Sequence, residues 1–154
     1  MIRKANPEDA GKINEILYQV QEIHAAGRPD IFRAGNKKYT DEQLAELILN
    51  DQYRIFVYEE DGEILGYTIC IIQETQETFQ LYYRKTLYID DLCIEAAARG
   101  KGAGKALYEH VLEEARKLNC NSVTLNVWAL NEPATAFYEK LGLKPLKTTM
   151  EQIL

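Results

Sequence analysis

"RGKGAGKALYEH" (Arg99–His110) decides how this chain is read. Gly100, Gly102 and Gly104 alternate and lead straight into a run with helical spacing. A helix N-terminus presents unpaired backbone N–H groups and the positive end of a dipole. Glycines let an anion approach those groups closely. Arg99, Lys101 and Lys105 add positive charge around them. The stretch therefore predicts a phosphate cradle, with pyrophosphate the best fit. A nucleoside-triphosphate loop would need a hydroxyl after Gly104-Lys105, and Ala106 stands there. A dinucleotide fingerprint would need its third glycine where Lys105 stands.

On either side of the glycines the apolar periodicity sets the elements. "MIRKA" is a short first strand, and "NPED" (Asn6–Asp9) opens a helix with Asn as cap, Pro in first position and acids behind. Ile13, Ile16, Leu17, Val20 and Ile23 keep helical spacing. "GRPDIFRAGNKK" (Gly27–Lys38) has loop composition. Thr40 with Gln43 forms a capping box before Leu44, Leu47 and Ile48. Arg54–Glu60 and Glu63–Ile72 flank Asp61-Gly62, a two-residue hairpin signal. Thr86–Ile94 is a third long strand.

Beyond the glycines, Leu107, Val111, Ala115 and Leu118 line one helix face. Ser122–Trp128 alternates as a strand. A helix from Glu132 to Leu141 ends before Gly142, and the tail "LKPLKTTMEQIL" is expected to close as a last strand. The order β-α-α-β-β-β-α-β-α-β predicts a mixed α/β sheet in a single domain over residues 1–154. A helix joins the Thr86–Ile94 and Ser122–Trp128 strands, so they should run parallel.

Composition narrows the function. The chain has 154 residues, 24 of them acidic and 18 basic, for a net charge of −6. Such a surface disfavours nucleic acid and suits a cationic acceptor such as an amine. No apolar run approaches the ~20 residues that span a bilayer, and "MIRKANPEDA" lacks a secretory core. Cys70, Cys93 and Cys120 are odd in number and widely spaced, which predicts free thiols in a cytoplasmic protein. With only His24 and His110 as histidines, no metal site is expected.

"NEPATAFYEKLGL" (Asn131–Leu143) adds a second motif. Arg99-x-x-Gly102-x-Gly104 followed by N-x-x-A-x-x-F-Y-x-x-x-G-L resembles the GNAT N-acetyltransferase superfamily, and the element order agrees over nearly the whole chain. The resemblance implies the acyl-CoA N-acyltransferase fold, in which the strand before the loop splays from its parallel neighbour. It implies acetyl-coenzyme A as cofactor. The pyrophosphate would rest on the amides of Arg99, Gly100, Lys101, Gly102, Ala103, Gly104 and Lys105. The pantetheine arm would pair with Leu92, Cys93 and Ile94 and be reached by Asn131. Tyr138 would lie near the coenzyme sulfur. Two positions depart from the pattern: Ala96 stands where Pro is common, and Ala103 where a larger aliphatic is common.

Acetyl transfer requires a neutral amine, a polarised thioester carbonyl and a protonated thiolate. Tyr138 is the candidate acid; its bland alternative is a half-buried aromatic beside Phe137. Asp90 and Asp91 interrupt an apolar strand, which is costly unless they meet a polar groove. Asp90 is the first candidate base, Asp91 the second, and a water chain the third. Alternation lets only one face the groove unless a bulge intervenes. Cys93 has no histidine nearby and is expected to be a buried thiol. His24 ends the first helix and is expected to act as a dipole partner.

Phe32, Asp91 and Trp128 are candidate acceptor contacts. Arg28 and Arg33 could hold a substrate carboxylate or balance local acids. Tyr82, Tyr83 and Tyr88 could line the groove or a dimer contact. The expected partners are a small amine or peptide and a second copy of the chain, with neither nucleic acid nor membrane. Two competing classes remain: a non-catalytic coenzyme A sensor, and an interaction protein whose loop holds another anion.

Overall fold

The computed structural model describes residues 1–154. Five strands form one sheet in the order β1-β2-β3-β4-β5: β1 (Ile2–Lys4), β2 (Tyr53–Glu60), β3 (Glu63–Thr75), β4 (Arg84–Ile94) and β5 (Ser122–Leu125). All neighbours are antiparallel except β4 and β5. The mixed, mostly antiparallel α/β architecture is the one the sequence predicts. Asp61 (φ 51°) and Gly62 (φ 80°) turn β2 into β3, both left-handed as a two-residue hairpin demands.

Four helices flank the sheet: α1 (Ala10–Gly27), α2 (Asp41–Leu49), α3 (Ala103–Lys117) and α4 (Glu132–Lys140). The entry to α1 is a 3-10 turn over Pro7–Asp9, where the Asp9 carboxylate accepts the Asn6 N–H at 2.7 Å. At α2 the capping box forms: Thr40 Oγ1 accepts from the Gln43 N–H, and Gln43 Oε1 from the Thr40 N–H.

Ile13, Ile16 and Leu17 of α1 and Leu44 of α2 bury against Ile55, Val57, Tyr67 and Ile69 on one sheet face. Leu107, Tyr108, Val111 and Ala115 of α3 bury against Cys70, Leu87 and Ile89 on the other. Each fully buried aliphatic here contributes about 1.5–3 kcal/mol. Truncating Leu107 to Ala would cost about 2–5 kcal/mol, because the packed sheet beneath it cannot collapse.

Two expectations fail. β5 stops at Leu125 instead of reaching Trp128, because β4 offers no partner beyond Ile89. The tail forms no strand: residues 144–154 make no backbone hydrogen bond to the rest of the chain. A single strand without a ladder partner has no acceptors for its N–H groups, and the tail lies solvated instead.

Candidate active site

Six consecutive amides, Gly100 to Lys105, donate to no acceptor in the chain. The first bond of α3 runs from Ala106 N–H to Gly102 O at 3.0 Å. Gly100 and Gly102 adopt φ of 81° and 86°, and a Cβ at either would meet nothing within 4 Å. They turn their amides toward open space, which L side chains rarely permit. Gly104 is glycine for a different reason: a Cβ there would lie 3.1 Å from the Phe137 ring, so it lets α3 approach α4. Lys105 reaches Glu109 only loosely, at 3.7 Å on the surface. Arg99 donates through Nε to Ile94 O at 3.0 Å and thereby tethers the loop to the end of β4.

β4 and β5 separate just before that end. Their pairing stops at Ile89↔Leu125, whereas β4 stays bonded to β3 as far as Ile94. The cause is a bulge: Ile69 opposes Asp91 and Cys70 opposes Ile89, leaving Asp90 as the extra residue. The bulge also swaps the faces of β4. Leu87 and Ile89 face α3, yet Cys93 falls in the α1 cluster. From Asp90 to Ile94 the strand is therefore paired on one side only, beside the gap.

α4 borders that gap. Asn131 Oδ1 accepts the Ala134 N–H at 3.3 Å and caps the helix. Leu143 N–H and Gly142 N–H close its C-terminus on Tyr138 O and Glu139 O, with Gly142 at φ 98°. Tyr138 is half-buried, its ring edge-on to Phe137 at 5.1 Å. Burial pushes the phenol above its ordinary value, with lesser contributions from Cys93 and Asp91.

A second cluster, on the Asp90–Asp91 bulge, is built from side chains. Lys38 Nζ lies 2.9 Å from both Asp90 Oδ2 and Asp91 Oδ2, so the bulge turns both carboxylates to one cation. Burial alone would lower the Lys38 ammonium, but the two carboxylates outweigh it and hold it above the usual lysine value. Burial raises the Asp91 carboxyl despite the opposing charge of Lys38. Nearby, Phe32 and Trp128 meet edge-on at 5.4 Å, and His24 lies 5.1 Å from Phe32.

Residues 17–143 match the Acetyltransferase (GNAT) family. The chain belongs to that family. It is an acetyltransferase whose acceptor is an amine, on a fold that generally binds acetyl-coenzyme A. The BH1408 protein of Bacillus halodurans, in a mutant form, superposes with a TM-score of 0.97 at 28% identity, over 100% of this chain and 99% of that one. A glucosamine-6-phosphate N-acetyltransferase of Arabidopsis thaliana gives a TM-score of 0.71 at 25% identity, over 99% and 97%. The 5-NmdU N-acetyltransferase of Pseudomonas phage PaMx11 is 28% identical, over 92% of this chain and 85% of its own.

Within this GNAT domain the residues singled out from sequence fall into two groups. Leu92, Cys93 and Ile94 form the end of β4, to which Arg99 ties the glycine loop. Near it Gly104 meets Phe137 of α4, the helix that carries Tyr138 and is capped by Asn131. Asp90 and Asp91 meet Lys38, whose charge reaches His24 in the cluster with Phe32 and Trp128. Cys93 is buried beneath Ile16 and its thiol is pushed up to about 12, so it is no nucleophile. Two more side chains can be placed. His24 stands in the last turn of α1 as expected, and burial, then the charge of Lys38, lowers its imidazole pKa. Arg28 follows the second of its two readings and balances local acids, Asp30 and Glu151, at 2.7 and 3.0 Å. Lys38 escaped notice because a lysine in a polar loop has no periodicity to mark it.

Proposed function

We propose that this acetyltransferase moves an acetyl group from acetyl-coenzyme A to a small primary amine by direct attack in a ternary complex, as a cytoplasmic homodimer. One observation carries the reading: the six free amides of the loop follow the one-sided stretch of β4 after a single 3-10 turn over Ala96–Ala98, and Arg99 Nε ties the loop back to Ile94 O. A pyrophosphate fits the amides of Gly100 to Lys105, and an extended amide-bearing arm fits the open edge at Leu92, Cys93 and Ile94. Asn131 keeps its Nδ2 free for that arm, since only Oδ1 serves as cap.

Bound acetyl-coenzyme A supplies a thioester carbonyl to a neutral amine and departs as a thiolate. Of the two candidate donors at the strand end, Cys93 and Ile94, the N–H of Ile94 is the one available to polarise that carbonyl: Glu95 N–H bonds Leu65 O, and alternation turns the Cys93 N–H to β3 as well. Tyr138, with its pKa raised, stays protonated and offers a hydrogen bond to the sulfur. Full transfer from so weak an acid is uphill, so its donation stabilises charge on the sulfur first. Asp91, raised by burial, is a better base than an ordinary carboxylate and takes the amine's proton directly or through water. Asp90 shares Lys38 with it and fixes the geometry.

Lys38 supports an alkylammonium acceptor. Its own primary ammonium sits against both carboxylates, which is the contact an alkylammonium acceptor would make there. A panel of primary amines, read by free-thiol release from acetyl-coenzyme A, tests the proposal. Turnover with small alkylamines is expected. Coenzyme binding without turnover on any amine would favour the sensor, and turnover on peptides alone would favour a protein acceptor.

A further inference from the structure

Lys38 is held by its tip and hardly at all by its backbone. Residues 33–39 make no backbone–backbone hydrogen bond. Side chains tie the segment instead. Glu22 Oε1 accepts the Gly35 N–H at 2.8 Å, and Lys38 Nζ donates at 2.9 Å to Asp90 Oδ2 and to Asp91 Oδ2. Of these seven residues only Tyr39 packs against a hydrophobic cluster. The Lys38 tip can therefore leave and return without disturbing the core.

The contact is open to solutes. Lys38 keeps 33% of its side-chain surface, and Asp90 and Asp91 keep 21% and 18%. Ion pairs this open are weak, so a dissolved cation can displace one. Lys38 is also the one cation paired with either carboxylate. Lys37, beside it in the chain, is exposed and forms no ion pair.

The tip of Lys38 is a primary ammonium on an unbranched alkyl stem, the same group as the proposed acceptor. Two such groups cannot both occupy the Oδ2 pair. The carboxylates hold Lys38 protonated, so it occupies the pair without attacking a thioester. A tethered copy of the acceptor's own group competes with every acceptor at a concentration set by its tether. It raises the apparent KM by the reciprocal of the fraction of time the pair stands free.

We infer that Lys38 is a built-in rival of the acceptor, whose ammonium fills the Asp90–Asp91 pair in the free enzyme and must leave before an amine can deliver its proton there. The inference rests on the proposed acceptor position at Asp91 and makes Lys38 a determinant of specificity. An amine that offers the pair no more than Lys38 does is held back. One that adds contacts elsewhere, as at Phe32 and Trp128, displaces it.

Lys38→Met keeps the stem and removes the charge. On the plateau of each pH–rate profile the KM for n-butylamine should fall about fivefold, with far less change in kcat and none in the coenzyme KM. The KM for phenethylamine should fall by the same factor, because a rival at one subsite penalises all acceptors alike. Lys38→Arg restores a cation and should return both values to the wild-type level or above. A KM that rises in Lys38→Met, or falls for one amine only, would overturn the inference and make Lys38 a direct contact of the acceptor.

A second readout needs no turnover. Trace acetic anhydride, without acetyl-coenzyme A, labels lysines according to the availability of their free amines. The Lys38 to Lys37 labelling ratio, read by peptide mass spectrometry, should be low in the free enzyme and rise several-fold with n-butylamine. The ratio cancels whatever reagent the added amine consumes. With both Asp90→Asn and Asp91→Asn it should be high from the start and no longer respond. Turnover of n-butylamine with a flat ratio would overturn the inference alone. A rising ratio without turnover would uphold the rival and overturn transfer to small amines, and a flat ratio without turnover would end both.

Discussion

The proposed coenzyme side and the proposed acceptor side of this chain are made of different materials. Backbone amides form the first: Gly100 to Lys105 in the loop and the open edge of β4. Side chains from distant segments form the second: Lys38 on Asp90 and Asp91, and His24, Phe32 and Trp128 in one aromatic cluster. Backbone donors cannot be changed by substitution except through conformation, so the first side tolerates few sequences. The second can be rebuilt one residue at a time, which lets one fold serve many amines.

The largest effect should follow from breaking the backbone side at its most constrained point. Gly102→Val places a β-branched residue at φ 86° and sets its side chain in the space before the amides. Coenzyme A binding by calorimetry should weaken by about 100-fold or more, some 2.7 kcal/mol. Undiminished affinity would remove the loop from coenzyme recognition. Gly104→Ala should do far less, since it only presses the Phe137 ring.

Tyr138→Phe sharpens the contrast, because it touches chemistry without touching the amides. Turnover should fall by about 100-fold, the lower range of general-acid contributions, while coenzyme affinity holds. Equal turnover in the variant would leave the phenol as a mere neighbour of Phe137.

Lys38→Met breaks the acceptor side. Loss of the cation leaves two carboxylates facing each other, so the Asp91 carboxyl should rise further. The acid limb of the pH–rate profile should move to higher pH, with rate lost first at low pH. The KM for the amine should change several-fold, whereas that for the coenzyme should not. An unmoved acid limb would exclude Asp91 as the proton acceptor.

The same division explains what the sequence disclosed. The glycine spacing and the Asn131–Leu143 motif were legible because backbone geometry restricts residue type over a few consecutive positions. The α3 stripe of Leu107, Val111 and Ala115 was legible from its period. The Lys38 contact was not, because it joins positions 52 and 53 residues apart through a bulge that the pattern of β4 does not mark. The bulge also hid the end of β5 at Leu125, since alternation continues through Val127 with nothing left to pair. The tail shows the converse failure: a strand is expected there, but residues 144–154 pair with no other part of the chain.

The smallest effect concerns His24, which belongs to the acceptor side but bears on stability. Burial beside Phe32 and Trp128, with the charge of Lys38, holds its folded pKa below 6.5. As pH falls through 6.5 the unfolded chain gains a proton that the folded chain refuses. Stability is therefore fully present above that value and is lost as pH falls toward the lowered pKa. His24→Phe keeps an aromatic ring in the cluster and cannot titrate. Between about pH 7.5 and about pH 5.5 the wild-type Tm should fall more than that of the variant, by a degree or so. Lys38→Met should narrow the difference, because one cause of the lowered imidazole pKa leaves with it. Parallel Tm profiles for wild type and His24→Phe would mean that the imidazole titrates freely in the folded chain, and that the aromatic cluster stands more open to water than its ring distances require.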